Sequence, residues 1–237
     1  MMDQRTCLSH ADILRTKFAQ AAPALRAASA ELWLAPGLGR RYPAYLRAMH
    51  GVVRTSVPLM ELAARRCAEL GPGDPVCAPL RRYLETHVAE EHGHDDWLSA
   101  DLAVLGGDPA AALAEPPSPA VARLVGAQYY WIEHHHPVAL LGYIAVLEGN
   151  APTAALADWI TSAGGLPDAA VRTVREHADL DAGHTEAVFE LFDALPLTAA
   201  QLNAVAISGL HTAHALTALY AHLLRPAGAA TRIGDPV

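Results

Sequence analysis

The 237-residue sequence predicts an all-α protein, a single-domain bundle of about seven main helices. Three observations carry that expectation. Apolar residues recur at steps of three and four over long stretches, Gly and Pro clusters punctuate those stretches, and alternating runs of strand length are scarce. With 52% hydrophobic and 18% charged residues the chain has enough apolar surface for one sizeable core, and a set of one-sided helices buries it as a bundle. The domain spans 1–237, with its core over about 9–225. The last dozen residues, 226–237, are rich in Gly, Ala and Pro and read as a loose tail.

The elements follow from local chemistry. A first helical region runs from about Ser9 to Leu34, with Pro23 as an interruption. After "APGLGRRYP" comes a segment from about Ala44 to Leu70, kinked at Pro58, and "GPGDP" at 71–75 breaks the chain. A long helix is expected from about Val76 to Leu105, stopped by Gly106-Gly107-Asp108-Pro109. Ser118 and Pro119 supply an N-cap and a first-turn proline for the next helix. Another begins near Pro137 and ends at Glu148. A short one starts at Pro152 and stops at Gly164-Gly165, and a long one spans about Pro167 to Leu195. The last, Thr198 to Leu224, opens on the capping-box pattern Thr198-x-x-Gln201.

Charge and composition exclude some functions. A net charge of −8 argues against a nucleic-acid partner. Three cysteines, Cys7, Cys67 and Cys77, have neither disulfide nor zinc-type spacing and fit a reducing cytoplasm. Asp3, Arg5, Asp12, Arg15 and Lys17 leave no apolar run for a signal peptide. The segment 198–224 lacks Asp, Glu, Lys and Arg, but Gln201, Asn203, Ser208, His211, His214 and His222 argue against a membrane span. It reads as a buried or subunit-contacting helix, and its length makes a homodimer the expected assembly.

Histidine, at 13 residues, is the compositional oddity. In "REHADLDAGH" the apolar stripe of Val174, Val188, Leu191 and Leu195 passes through His177, Asp181 and His184. In "LRRYLETHVAEEHGHDDWLSADL" the stripe of Leu80, Leu84, Leu98, Leu102 and Leu105 passes through His87, Glu91 and His94. Both read His-x3-acid-x2-His, a spacing that shares one helix face. Glu85 and His92 have the same spacing but align with Arg81 and Ser99 on the polar side, and Glu90 and Asp95 read as solvated or as partners of a ligand. A third apolar seam, Pro137, Leu141 and Ile144, ends at Glu148.

Imidazoles and carboxylates in apolar seams are costly unless they are satisfied. A single buried His is usually a hydrogen-bonded core residue, and a single stripe could be a polar network. Two stripes and Glu148 together supply three carboxylates and four imidazoles, too many donors for one ion with open positions. Nitrogen and oxygen donors without cysteine suit iron or manganese, although zinc also accepts them. Two divalent ions near three carboxylates leave a small residual charge.

Together "HVAEEHGHDDWLSADLAVLG", "HHHPVALLGYIAVLEG" and "REHADLDAGH" resemble the haem-oxygenase-like diiron oxidases and oxygenases, also described as iron-containing redox enzymes, over roughly residues 42–224. The resemblance implies a haem-oxygenase-like helical fold, two Fe(II) per chain and O2 as co-substrate. It implies metal ligation by Glu91, His94, Glu148, His177, Asp181 and His184, with Glu91, His94 and His184 at one ion, His177 and Asp181 at the other, and Glu148 bridging or flanking. Glu148 and Asp181 are thereby also the catalytic carboxylates. The sequence departs from the family at His87, where a glutamate is common, so His87 stands as a ligand, a partner of a ligand or a substrate contact. The ferritin-like pattern is the rival, with Glu91-x2-His94, Asp181-x2-His184 and Glu61 pressed in as a fourth acid. His177 has no place in it.

The expected function is therefore O2-dependent oxidation of a small polar metabolite, first of all N-oxygenation of an amine or amino-acid derivative in specialised metabolism. Oxidative C–C cleavage of an amino or fatty acid at the same site is the alternative. A metal-free enzyme of the thiamine-salvage or quinone-cofactor type is a second one, on the same scaffold. Tyr129, Tyr130, His211 and His214 are candidates for the substrate pocket, and an external electron donor is a partner the chemistry admits.

Overall fold

The computed structural model describes residues 8–225; the expected tail at 226–237 lies outside them, as do the side chains of Leu113, Asp179, Leu180, Asp181 and Ala182. Among the described residues there are eleven α-helices and no strand. They are α1 (His10–Leu34), α2 (Leu38–Val53), α3 (Ser56–Leu70), α4 (Cys77–Glu91), α5 (His94–Val104) and α6 (Pro109–Ala114). The remainder are α7 (Pro119–His134), α8 (Leu140–Glu148), α9 (Ala154–Gly164), α10 (Arg172–Ala194) and α11 (Ala199–Leu223).

The count exceeds seven because two long segments are broken and because the short α6 and α9 are counted with the main helices. Pro58 does not kink a continuous helix. Its ring would clash with the carbonyl of Arg54, so α2 ends there and Pro58 falls in the first turn of α3, where an N–H has no helical partner to lose. The segment expected as one helix over 76–105 breaks at Gly93, whose φ of +88° ends α4 and begins α5. Pro23, in contrast, interrupts nothing. It sits inside α1, whose Leu14, Ala21, Leu25 and Leu32 are buried along a face packed on α11.

The caps follow the sequence. The Ser118 hydroxyl accepts the Val121 N–H at 3.3 Å, and both halves of the Thr198–Gln201 capping box are made. α11 packs on α1, α7 and α8, which cover much of its uncharged surface, while Ile207 and His214 remain exposed. A Cβ on Gly142 would lie 2.1 Å from the Val205 carbonyl oxygen. The backbone of α8 therefore rests directly on α11, and α8 ends at Glu148 with Gly149 as its C-cap. No described helix is long and apolar enough to cross a membrane. Cys67 and Cys77 are free and buried.

Candidate metal centre

Four helices point donors at one region. Leu80 and Leu84 are fully buried and fix the inward face of α4, which carries His87 (3% exposed) and Glu91 (9%) to the same depth. The turn at Gly93 restarts the chain so that His94, the first residue of α5, is also buried (4%). Glu148 closes α8, and α10 brings His177 and His184.

The donors sort into two groups. In the first, one ligand atom from each of His87, Glu91, Glu148 and His184 lies within 4.8 Å of all the others. His87 Nε2 is 3.5 Å from Glu148 Oε1, and His184 Nδ1 is 3.5 Å from Glu148 Oε2. On the outer side the half-exposed Glu90 faces both rings, with its Oε2 3.2 Å from His87 Nδ1 and 3.6 Å from His184 Nε2. An outer N–H directed at Glu90 leaves each ring's inner nitrogen as a lone-pair donor.

The second group adjoins the first through Glu91, whose Oε1 is 3.4 Å from His94 Nδ1. The His94 and His177 rings meet edge to face at 5.1 Å. His177 Nδ1 donates to the Thr173 carbonyl at 2.9 Å, which leaves Nε2 as the nitrogen free to ligate. Thr173 is held in turn, because its N–H donates to Oδ2 of the buried Asp101 at 2.9 Å. Asp101 belongs to α5, so it ties the helix of His94 to the first turn of the helix of His177.

Of the expected trio Glu91, His94 and His184, Glu91 and His94 are neighbours, His184 sits beside His87 and Glu148, and His94 also meets His177. The cause is the break at Gly93, which turns His94 away from the face shared by His87 and Glu91. Asp181 lies on α10 one turn beyond His177, and its side chain is outside the described residues. Glu85 is exposed and paired with Arg81 at 2.7 Å, His92 is exposed, and so is Glu61, leaving the ferritin-like rival without its fourth acid.

Electrostatics reflect the close packing. Burial alone would raise the Glu148 carboxyl, but contacts from the His184 and His87 imidazoles, and their charge when protonated, hold it down at about 2. Burial opposes protonation of His87, yet Glu148 raises it overall; His184 is raised by Glu148 against a smaller burial effect. Burial raises Asp101, partly offset by hydrogen bonds from Thr173.

These residues fit a metal. His94 Nδ1 and His184 Nδ1 are buried without a hydrogen-bond partner among the described residues, an arrangement that is costly in a metal-free core. Their distances to Glu91 and Glu148, 3.4 and 3.5 Å, are long for charge-assisted bonds. Donors about 2.1 Å from a shared ion are themselves separated by roughly 3–4 Å, which these pairs match. A second cluster, Asp74, Cys77 and His136, behaves differently. There His136 Nε2 bonds Asp74 at 3.0 Å and Nδ1 accepts the Val138 N–H, so these polar groups already satisfy one another and tie the turn at His136 to that at Asp74.

A cavity of about 110 Å3 opens onto Glu91, Glu148 and His177. The four residues expected in a substrate pocket do not line it. The inward face of α7 is Leu124, Val125, Gln128 and Ile132, which turns Tyr130 (63% exposed) and Tyr129 outward. His214 is exposed, and His211 packs on Trp131 with its Nε2 3.3 Å from the Arg123 carbonyl oxygen. Sequence reasoning also missed Asp101 and the phenols of Tyr45 and Tyr220, which do face the cavity. Asp101 carried a signal, an acid three residues beyond Leu98 in an apolar stripe; the tyrosines carried none.

Residues 43–218 match the family described as iron-containing redox enzymes. Among solved structures, a domain of unknown function with a haem oxygenase-like fold from Shewanella denitrificans OS217 superposes with a TM-score of 0.70 and 19% identity, covering 89% of this chain and 88% of that one. A TenA homolog from Pseudomonas syringae pv. tomato DC3000 superposes with a TM-score of 0.66 and 13% identity, covering 86% and 91%. At these identities the likeness carries the fold, which is haem oxygenase-like. No match was found among curated proteins.

Proposed function

The chain belongs to the iron-containing redox enzyme family, and we propose that it is a dinuclear non-haem iron enzyme that uses O2 to oxidise a small molecule. The observation that carries this reading is the convergence of His87, Glu91, Glu148 and His184 within 4.8 Å, joined through Glu91 to His94 and His177. His87, Glu148 and His184 would hold one ion and His94 and His177 the other, with Glu91 between them and Asp181 completing the set. Bound iron would supply two electrons and the open positions for O2 activation, and an external electron donor would restore the ferrous state after each turnover.

The protein's own residues do the rest. Glu90 and the Thr173 carbonyl set the ring orientation of His87, His184 and His177, and Asp101 holds Thr173 in place. Glu148 stays ionised across the physiological range and keeps negative charge where cations would sit. The cavity that opens onto Glu91 and His177 offers a substrate a mostly apolar wall. The proposed reaction is N-oxygenation of an amine, with oxidative C–C cleavage as the second outcome at the same site. Anaerobic loading with Fe(II), followed by O2 consumption with candidate amines and carboxylic acids and mass analysis of the products, tests it. Gain of oxygen on nitrogen supports the first reaction, and loss of carbon the second. Iron that does not bind, or does not react with O2, overturns both and leaves a metal-free acid/base enzyme on this fold.

A further inference from the structure

The wall of the cavity restricts what can reach the donors. Away from Glu91, Glu148 and His177 it is made chiefly by Met49, Val52, Val53, Leu98, Leu147 and Leu216. Tyr45 and Tyr220, both buried, also line it, and Ser56, Asn150 and Thr173 are its other uncharged polar residues. Burial pushes Tyr45 well up and Tyr220 up to about 12, so both remain neutral. No Lys or Arg lines the cavity among the described residues. All the charge in the wall is therefore at one end, on the acids that face the ligand cluster.

We propose that the substrate is a molecule with a single polar head group directed at Glu91 and Glu148 and an uncharged, aliphatic body lying against Met49, Val52, Leu98 and Leu216. The inference rests on the iron-site reading and deepens it. It narrows the substrate from polar metabolites in general to single-headed aliphatic ones. A second charge on the body would lose its hydration in a chamber without a counter-ion and would weaken binding by roughly a hundredfold or more. Each methylene that enters the chamber should tighten binding by about fourfold. The volume, about 110 Å3, is of the order of the roughly 150 Å3 apolar cavity that accepts benzene, which suits a body of about six carbon atoms.

The test uses the full chain loaded with Co(II), whose visible absorption reports ligands near the ion without turnover. Titrations compare butylamine with hexylamine and butanoate with hexanoate, and all four with 6-aminohexanoate and lysine, which have the same reach but a second charge. The expected result is that hexylamine or hexanoate perturbs the spectrum and binds at least tenfold more tightly than its shorter homologue. Which of the two binds identifies the head group. The compounds charged at both ends should bind a hundredfold more weakly. Equal or tighter binding of 6-aminohexanoate or lysine overturns the inference, as does the absence of binding by every single-headed compound. Failure of Co(II) itself to bind is seen first, in the metal titration, and overturns the iron-site reading beneath it.

Discussion

Replacing Glu148 by Gln in the metal-free protein should produce a stability change whose sign depends on pH. In the wild type the carboxyl drops from its ordinary 4.5 to about 2 through the His87 and His184 imidazoles. That lowering corresponds to about 3 kcal/mol. The contribution of a depressed carboxyl is present above its unfolded value and is lost as pH falls through the folded one. The same contact, viewed from its partners, raises His87 and His184 above the ordinary 6.5. That side is fully present below 6.5 and is lost as pH rises through the raised values. The two views describe one interaction, so about 3 kcal/mol is its whole size. It is present in full only between about pH 4.5 and 6.5. Above the histidine values, wild type keeps a buried carboxylate among neutral rings, and the amide is as good or better. Urea denaturation in chelator should therefore find Glu148→Gln about 3 kcal/mol less stable near pH 5.5. At about pH 9 it should be equal to wild type or more stable. A deficit that is constant across this range would refute the reasoning, because it would show a packing role rather than an ionic one.

Glu85→Ala and His92→Ala should leave iron binding intact, since both side chains are exposed. His94→Ala should abolish tight binding at one site and Glu91→Ala should weaken both, measured by anaerobic iron analysis. The reverse pattern would mean that the inward face of α4 has been misassigned. Glu90→Ala should lower metal affinity about ten- to a hundredfold without changing stoichiometry, and Glu90→Gln, which still accepts a hydrogen bond, should recover part of it. Loss of a whole equivalent would make Glu90 a ligand instead. Asp181→Ala should lose or loosen the second ion and O2-dependent turnover, while the metal-free protein melts at the wild-type temperature or higher. Strong destabilisation in chelator with unchanged iron content would assign Asp181 a structural role.

Much of the site was legible because burial of a polar group interrupts a periodic pattern. His87, Glu91 and His94 stand where Leu80, Leu84 and Leu98 predict leucines, and all three are buried. What the periodicity could not convey is the turn at Gly93. A single residue at positive φ preserves the burial of His94 while changing its neighbours. The histidine pairing is consequently a tertiary property. The pocket residues failed for a related reason. Tyr129 and Tyr130 are adjacent to the histidine-rich stretch in sequence, yet α7 turns its other face inward. Tyr45 and Tyr220 reach the cavity from α2 and α11, far apart in sequence and without any local pattern.

The most direct measurement is an anaerobic Fe(II) titration of the purified chain beside its His87→Ala and His177→Ala variants. A dinuclear site should saturate at two equivalents in the wild type and lose one tight equivalent in each variant, with both variants still folded by circular dichroism. A wild-type titration that saturates at one equivalent, or two variants that both retain two, would contradict it.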